Sequence, residues 1–241
     1  MGMNVLGLDC ATTGCSVALM RDGKIVAASN RVMDRGQAEV LNAMMGDVMA
    51  KADTGFKALD RIGVTVGPGS FTGVRIGLAV ARALGLGLGI PVVGVTTFAA
   101  FARAVPKEER VGRNMVIAVN GKRRDVFVQT FDEACNPISE PDTIASVAND
   151  ALPSGPMLIA GDGSEILRNL LMASKDMAGE IENRIRFSSR ITPPDAAHVA
   201  AMAAEMAEMD APELTGKGAS VRPLYIRPPD AALPTKSRRR S

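Results

Sequence analysis

The residues with the clearest chemical potential lie in a glycine-rich turn that runs from Gly67 to Gly73, GPGSFTG. Apolar residues before the turn predict a buried strand, and the denser apolar spacing after it predicts a helix. Such a turn leaves backbone N–H groups at a helix N-terminus, where the dipole favours an anion. The candidate phosphate contacts are Gly67, Gly69, Ser70 and Thr72. An equally good explanation is that the glycines make a tight turn and Thr72 caps the helix.

A second candidate site lies at the end of the first predicted strand. Asp9 stands there, shortly before the polar residues Thr12 and Thr13. A carboxylate and two hydroxyls in this arrangement can face a phosphate or its metal ion. Asp9 can equally well stabilise the turn through a hydrogen bond to the backbone. The residues themselves favour neither explanation.

Familiar catalytic motifs do not fit these residues. No Lys follows the glycines, which excludes a G-x-x-x-x-G-K-[ST] phosphate loop, and Ser70 lacks the spacing of a G-x-S-x-G elbow. The strand predicted over Pro91–Val95 ends without the acidic residue that holds a ribose in dinucleotide sites. His198 is the only histidine, so a metal site with two histidines is impossible within the chain. These motifs are therefore excluded, and we predict no metal site within the chain.

Composition narrows the class of protein. The chain has 241 residues, is 46% hydrophobic and 22% charged, and has a net charge of +2. These values predict a globular chain with one core or two small ones, without a global attraction to nucleic acid.

Its three cysteines lack C-x-x-C spacing, which favours a reducing cytoplasm. Residues 83–102 are uncharged, but Pro91 and several glycines divide them into helix, strand and helix, so we expect no membrane span.

The helix after the glycine turn carries a small residue at every fourth position. We call Gly73, Gly77, Ala81 and Gly85 the first small ridge, because this spacing aligns them along one side of the helix. Glycine costs a helix up to about 1 kcal/mol relative to alanine, so the ridge needs a compensating contact. That contact is either the chain's own sheet or a partner helix, and we favour the partner helix.

A second helix with an unusual apolar surface is predicted over Gln37–Ala52. One apolar stripe includes Met45, and another includes Val40 and Met44. Methionine-rich faces adapt to different partners, so the second stripe favours a surface that binds another protein. A broad core face would explain the same residues.

The order of predicted elements suggests two lobes. Three antiparallel strands open the chain, and a second hairpin opens its second half. We place the first lobe at residues 1–108, the second at 109–230, and a disordered basic tail at 231–241. Within the second lobe we predict a short helix near residues 143–149, a helix over 194–209 that packs back on the first lobe, and a last strand over Val221–Ile226.

The glycine turn and its flanks resemble the TsaB family, also called YeaZ. The resemblance is carried by the run from Gly67 to Gly77, GPGSFTGVRIG, by Gly89-Ile90-Pro91, and by Leu8-Asp9 near the start. It covers residues 3 to about 135 well and the remainder loosely. It implies an α/β fold of the actin, sugar-kinase and heat-shock-ATPase type, with two ribonuclease H-like lobes of which the second is shortened.

The resemblance also implies a function. Members of this family are non-catalytic subunits in the synthesis of N6-threonylcarbamoyladenosine beside the anticodon of tRNA. They pair with the catalytic relative TsaD, support the ATPase TsaE, and form a homodimer in isolation. No cofactor of the subunit's own is implied, with ATP or ADP at the interface of the complex. TsaD-type catalysis needs a metal held by an H-x-x-x-H pair, which a single histidine cannot supply.

Two points stay open after the resemblance. The family usually reads Asp-Thr-Ser where this chain has Asp9-Cys10-Ala11, which removes two hydroxyls from the candidate phosphate turn. This loss argues against nucleotide hydrolysis by the chain itself. The rival function is nevertheless an enzyme of the same fold, either a small-molecule phosphotransferase or a peptidase-like hydrolase. Basic residues can meet the phosphates of a tRNA held by the complex, although solvated charge would explain them too. These candidates are Arg123, Arg124, Arg238 and Arg239.

Overall fold

The computed structural model describes residues 2–33, 35–121, 125–144, 152–174, 183–189, 195–206, 215–216 and 221–226. The strands are β1 Asn4–Asp9, β2 Gly14–Arg21, β3 Lys24–Val32, β4 Arg61–Gly67, β5 Val92–Thr96, β6 Asn114–Asn120, β7 Val126–Phe131, β8 Asp142–Ile144, β9 Met157–Ala160, β10 Ile185–Phe187 and β11 Thr215–Gly216. The helices are α1 Gln37–Lys51, α2 Phe71–Leu88, α3 Thr97–Ala104, α4 Lys107–Arg110, α5 Ser164–Ala173 and α6 Ala196–Glu205.

The first sheet has the strand order β11-β5-β4-β1-β2-β3. β1, β2 and β3 are antiparallel, whereas β4 runs parallel to β1 and β5 runs parallel to β4. The β2–β3 turn places Asp22 and Gly23 at φ values of 52° and 74°, as a two-residue hairpin of this kind requires. The predicted three-strand opening is therefore present.

The second sheet repeats this pattern in the order β10-β9-β6-β7-β8. Its antiparallel strands are β6, β7 and β8, and its parallel pairs are β6 with β9 and β9 with β10. The two edge strands, β8 and β10, have only three residues each. The second sheet is a smaller version of the first.

Helices cover both faces of the first sheet. Alternate residues such as Leu6 and Leu8 of β1 point towards α1 and α2 and form one buried cluster with them. On the opposite face, α6 lies so close that a Cβ atom on Gly7 would be 2.1 Å from the Ala196 carbonyl oxygen. The Ser16 hydroxyl accepts the N–H of Ala196 at 2.9 Å. A helix from the second half of the chain thus packs on the first sheet.

The second sheet is also covered on both faces. Phe98 and Phe101 of α3 pack against the face of β6 that carries Ile117. Leu167 and Leu171 of α5 pack against the other face. Since α3 directly follows β5 of the first sheet, it connects the two cores.

Two elements of the second half differ from the prediction. Asp142–Ile144 is a strand and not the start of a helix, because it pairs with β7 and buries Ile144; residues 145–149 lie outside the described part. Val221–Ile226 forms no strand, although Leu224 donates its N–H to the Val66 carbonyl at 2.8 Å. Arg82 also donates a hydrogen bond to the Val221 carbonyl. These two hydrogen bonds hold the segment in place, but it does not pair with a strand of the sheet.

Among the described residues, one helix is long and apolar enough to cross a membrane by length and composition alone. That helix is α2, and it packs on the first sheet. Residues 83–102 are divided between the end of α2, β5 and α3, as predicted.

Candidate helix-binding surface and glycine turn

The glycine turn connects β4 to α2. Gly67 ends the strand with a φ of 106°, and α2 begins at Phe71, before the end of the predicted glycine turn. The helix is capped by Ser70, whose hydroxyl accepts the N–H of Gly73 at 3.2 Å. Thr72 lies exposed within the first turn. The cap is therefore Ser70, and the alternative explanation in which Thr72 caps the helix is wrong.

The turn between β1 and β2 lies directly against this helix N-terminus. Ser70 donates its N–H to the Ala11 carbonyl at 2.6 Å. A Cβ atom on Gly69 would be 2.0 Å from the Ala11 oxygen, and one on Gly73 would be 2.0 Å from the Cys10 oxygen. Both glycines are thus needed for close approach of the chain's own carbonyl groups. The expected phosphate contacts at Gly67, Gly69, Ser70 and Thr72 stay a prediction, and a phosphate would compete with these carbonyls.

Asp9 lies fully buried at the start of the same turn. Its Oδ1 accepts the Thr65 hydroxyl at 2.6 Å and the Ala11 N–H at 3.1 Å. Burial raises the pKa of Asp9 to about 6, because the bonds from Thr65 and Ala11 only partly offset the lost hydration. No described residue bonds to Oδ2 of Asp9 or to the hydroxyl of buried Thr12, and Thr13 is half-exposed. The carboxyl group therefore stabilises the turn, and the ligand expected at Asp9, Thr12 and Thr13 stays a prediction.

The first small ridge faces inward. All four of its residues are buried, Ala81 to 0% exposure, and a Cβ atom on Gly77 would be 3.5 Å from Cγ2 of Val64 in β4. The prediction that Gly73, Gly77, Ala81 and Gly85 contact a partner helix is wrong, because all four are buried within the chain, Gly73 against the β1–β2 turn and Gly77 against β4. A large residue at this ridge would disturb the fold itself.

The outward side of α2 forms a groove with α1. The groove has a volume of about 630 Å³ and is lined by Asn42, Met45, Ala79, Val80, Ala83, Leu84, Gly87 and Leu88. Its residues Ala79, Ala83 and Gly87 are exposed and again four apart, and we call them the second small ridge. Beside it, Leu86 is 76% exposed. The sequence analysis did not identify this ridge, because the first small ridge contains more glycine and gives the more conspicuous pattern.

The three residues predicted on α1 have different surroundings. Met44 is fully buried in the core, so its predicted contact with a partner is wrong. Met45 is mostly buried but lines the groove, and Val40 is half-buried. Only these last two can contribute to a contact at the surface.

An aromatic and cationic cluster at the first turn of α2 was not predicted. The Arg75 guanidinium lies 3.5 Å from the centroid of the Phe71 ring, and its Nε donates to the Tyr225 hydroxyl at 3.1 Å. Phe71 and Arg75 are four residues apart in the motif, which places them on the same side of a helix. The spacing of Phe71 and Arg75 could have predicted their contact. The bond to Tyr225 could not be predicted, because Tyr225 is 150 residues from Arg75 in the chain.

The remaining predicted residues lie outside the described part of the chain. These are Arg123, Arg124, Arg238 and Arg239. Within the described part, no group of three or more His, Cys, Asp or Glu side chains is arranged to hold a metal ion.

Comparison with known proteins identifies the family. A family model described as TsaD, tRNA N6-adenosine threonylcarbamoyltransferase, matches residues 30–231. The Escherichia coli tRNA threonylcarbamoyladenosine biosynthesis protein TsaB is 33% identical over 125 residues, which are 52% of this chain and 53% of that protein. The chain belongs to the TsaB/YeaZ family. It spans about half the length of the curated TsaB relatives that it matches.

Other matches extend over nearly the whole chain. An uncharacterized protein of Mycobacterium tuberculosis is 30% identical over 94% of this chain and 93% of its own length. A Pseudomonas aeruginosa protein described as similar to the peptidase YeaZ superposes with a TM-score of 0.77 and 23% identity, over 93% of this chain and 100% of that one. The predicted actin, sugar-kinase and heat-shock-ATPase fold is confirmed for this TsaB/YeaZ family member.

Proposed function

We propose that this TsaB/YeaZ family member is a non-catalytic subunit that pairs with TsaD in the synthesis of N6-threonylcarbamoyladenosine on tRNA. The observation that carries this proposal is the exposed apolar groove between α1 and α2. We further propose that the subunit supports TsaE, forms a homodimer without TsaD, acts in the cytoplasm, and contacts tRNA only through the complex.

The groove has the properties of a helix-binding surface. The second small ridge lets the backbone of another helix approach closely, while exposed Leu86 beside it can insert between side chains of that helix. Burying exposed leucine against a partner removes apolar surface from water, which favours association. A single contiguous apolar patch of this kind marks an interaction site more often than scattered apolar residues do.

TsaD is the favoured occupant because its family model matches this chain over residues 30–231. Two proteins with the same fold carry equivalent helices, so α1 and α2 can meet their counterparts in a pseudo-symmetric pair. The same argument makes a second copy of this chain the substitute when TsaD is absent.

The residues of the chain support a role without catalysis. One histidine cannot form the H-x-x-x-H pair that the family resemblance assigns to TsaD. For the rival phosphotransferase, the glycine turn is a poor phosphate site, because the Ala11 carbonyl already accepts the Ser70 N–H. We therefore propose that ATP or ADP binds at the interface of the complex rather than in this subunit alone.

The proposal is tested by reconstitution. TsaD should co-purify with the full chain. With ATP and a threonylcarbamoyl adenylate as the donor, unmodified tRNA that decodes codons beginning with A should gain threonylcarbamoyladenosine only when TsaD, TsaE and this chain are all present. The chain alone should not hydrolyse ATP. Modification by TsaD and TsaE without the chain would remove the scaffold role, and ATP turnover that disappears in Asp9→Asn would establish the phosphotransferase instead.

A further inference from the structure

Cys10 and Cys15 form a pair of buried thiols at the base of the β1–β2 turn, a feature that the proposed function does not use. Their Sγ atoms lie 3.3 Å apart and share a hydrogen bond. Their side chains are 0% and 1% exposed. The third cysteine, Cys135, follows β7 of the second sheet and is half-buried.

The strand register places these two cysteines opposite each other. Asp9 of β1 is paired with Ser16 of β2, so Cys10 and Cys15 occupy the next opposing positions. Opposing residues in antiparallel strands have Cα atoms about 4.5–5.5 Å apart, which is within the range that a disulfide accepts. The sulfurs need only approach from 3.3 Å to a bond length of about 2.05 Å, which side-chain rotation can achieve.

We propose that Cys10 and Cys15 are a reversible oxidation site, at which a peroxide converts the two thiols into a disulfide. In the first step, the thiolate of Cys15 attacks a peroxide oxygen, the O–O bond breaks, and a sulfenic acid forms on Cys15. The sulfur of Cys10 then attacks the Cys15 sulfur, and the departing hydroxide takes the Cys10 proton to become water. Two thiols lose two electrons in total, and one hydrogen peroxide becomes two waters.

The surroundings assign the first step to Cys15. The hydrogen bond between the sulfurs lowers the pKa of Cys15 and raises that of Cys10, and burial further raises the pKa of Cys10. The thiolate is the nucleophile, so the cysteine with the lower pKa reacts first. Burial of both sulfurs means that peroxide enters only when the turn opens, so oxidation should be slower than at an exposed thiol.

The disulfide would fix the turn that supports α2. Ala11 lies between the two cysteines, and its carbonyl accepts the N–H of Ser70 at the start of that helix. A link from Cys10 to Cys15 closes a ring of six residues, which restricts the unfolded chain and stabilises the folded one.

The test uses the full-length chain with Cys135→Ser, which leaves only the two proposed thiols. The protein is treated with hydrogen peroxide, then with catalase, and is finally denatured in N-ethylmaleimide. Neither cysteine should be alkylated, and the tryptic peptide 1–21, which contains both cysteines, should lose two hydrogen atoms. The thermal midpoint should rise by roughly 4–8 °C and return after dithiothreitol.

Two variants serve as controls for the midpoint, Cys10→Ser and Cys15→Ser, each combined with Cys135→Ser. Peroxide should leave their midpoints unchanged. The alkylation result is measured on the chain that keeps both cysteines, so it does not depend on how well these variants fold. Two alkylated cysteines after peroxide, a sulfinic acid on one cysteine, or a disulfide between two chains would each overturn the proposal.

Discussion

The two sides of α2 look alike in sequence but have opposite roles in the structure. The first small ridge lies against β4 and the β1–β2 turn, where a Cβ atom on Gly73 would meet the Cys10 carbonyl at 2.0 Å. The second small ridge lies in an open groove, where a Cβ atom on Gly87 would meet nothing within 4 Å. Small residues on the inward side are therefore required by the fold, whereas those on the outward side leave room for another molecule.

This difference shows that a small-residue ridge does not by itself identify a partner surface. All four residues of the inward ridge are buried within the chain, and Gly73 and Gly77 contact the β1–β2 turn and β4. The outward ridge has no such explanation among the described residues, and Leu86 beside it is exposed. Substitutions on the two sides should therefore change different properties, folding on one side and association on the other.

The largest effect on folding is expected for Gly73→Ala. The added methyl group would overlap the Cys10 carbonyl, so the β1–β2 turn or the start of α2 must move. We expect a loss of roughly 2–4 kcal/mol in the free energy of unfolding, measured by urea denaturation. An unchanged free energy would show that the turn does not pack on α2 as described.

The pH dependence of stability tests the same inward side through Asp9. Its pKa is 3.8 when unfolded and about 6 when folded, so between these values the folded chain holds a proton that the unfolded chain has lost. Stability should therefore fall as pH rises from about 4 to about 6, by about 2–3 kcal/mol, and stay constant above that range.

Asp9→Asn provides the comparison for this profile. The asparagine oxygen can still accept the Thr65 hydroxyl and the Ala11 N–H, but the side chain cannot ionise. Urea denaturation at several pH values should show that the variant lacks the decrease. Parallel profiles for Asp9→Asn and the unaltered chain would contradict a raised pKa at Asp9.

The smallest effect is expected on the outward side, for Gly87→Ala in the free chain. Alanine favours a helix over glycine, and nothing lies within 4 Å of the added methyl group. The free energy of unfolding should rise by up to about 1 kcal/mol. Gly46→Ala in α1, at a position that is equally open, is the matched control and should have the same sign. A destabilised Gly87→Ala chain alongside a stabilised Gly46→Ala chain would show that the groove is closed.

Local patterns in the sequence predicted most elements of the first sheet. Asp22-Gly23 between apolar runs indicated a hairpin, and the change from a strand-like to a helix-like spacing around Gly67 indicated a strand, a turn and α2. These signals are local because each depends on residues that are neighbours in the chain. The family followed from the specific run between Gly67 and Gly77.

The orientation of α2 could not be predicted in this way. Both of its ridges repeat every fourth residue, and periodicity alone does not say which one meets the sheet. The answer depends on Cys10 and Ala11, whose carbonyls reach the helix from about 60 residues away in the chain. Strand β8 was missed for a similar reason, since it is stabilised by pairing with β7 rather than by its own three residues.

The central claim is that TsaD binds the outward side of α2, and the most direct measurement is the affinity of TsaD for Ala83→Arg. Ala83 is exposed in the groove, so the free energy of unfolding of the free chain should not change. TsaD affinity measured by calorimetry should fall by at least roughly 100-fold, because arginine fills the groove and places a charge in an apolar contact. Ala173→Arg, at the exposed end of α5, is the matched control and should bind TsaD normally. Normal affinity of Ala83→Arg for TsaD would contradict the claim.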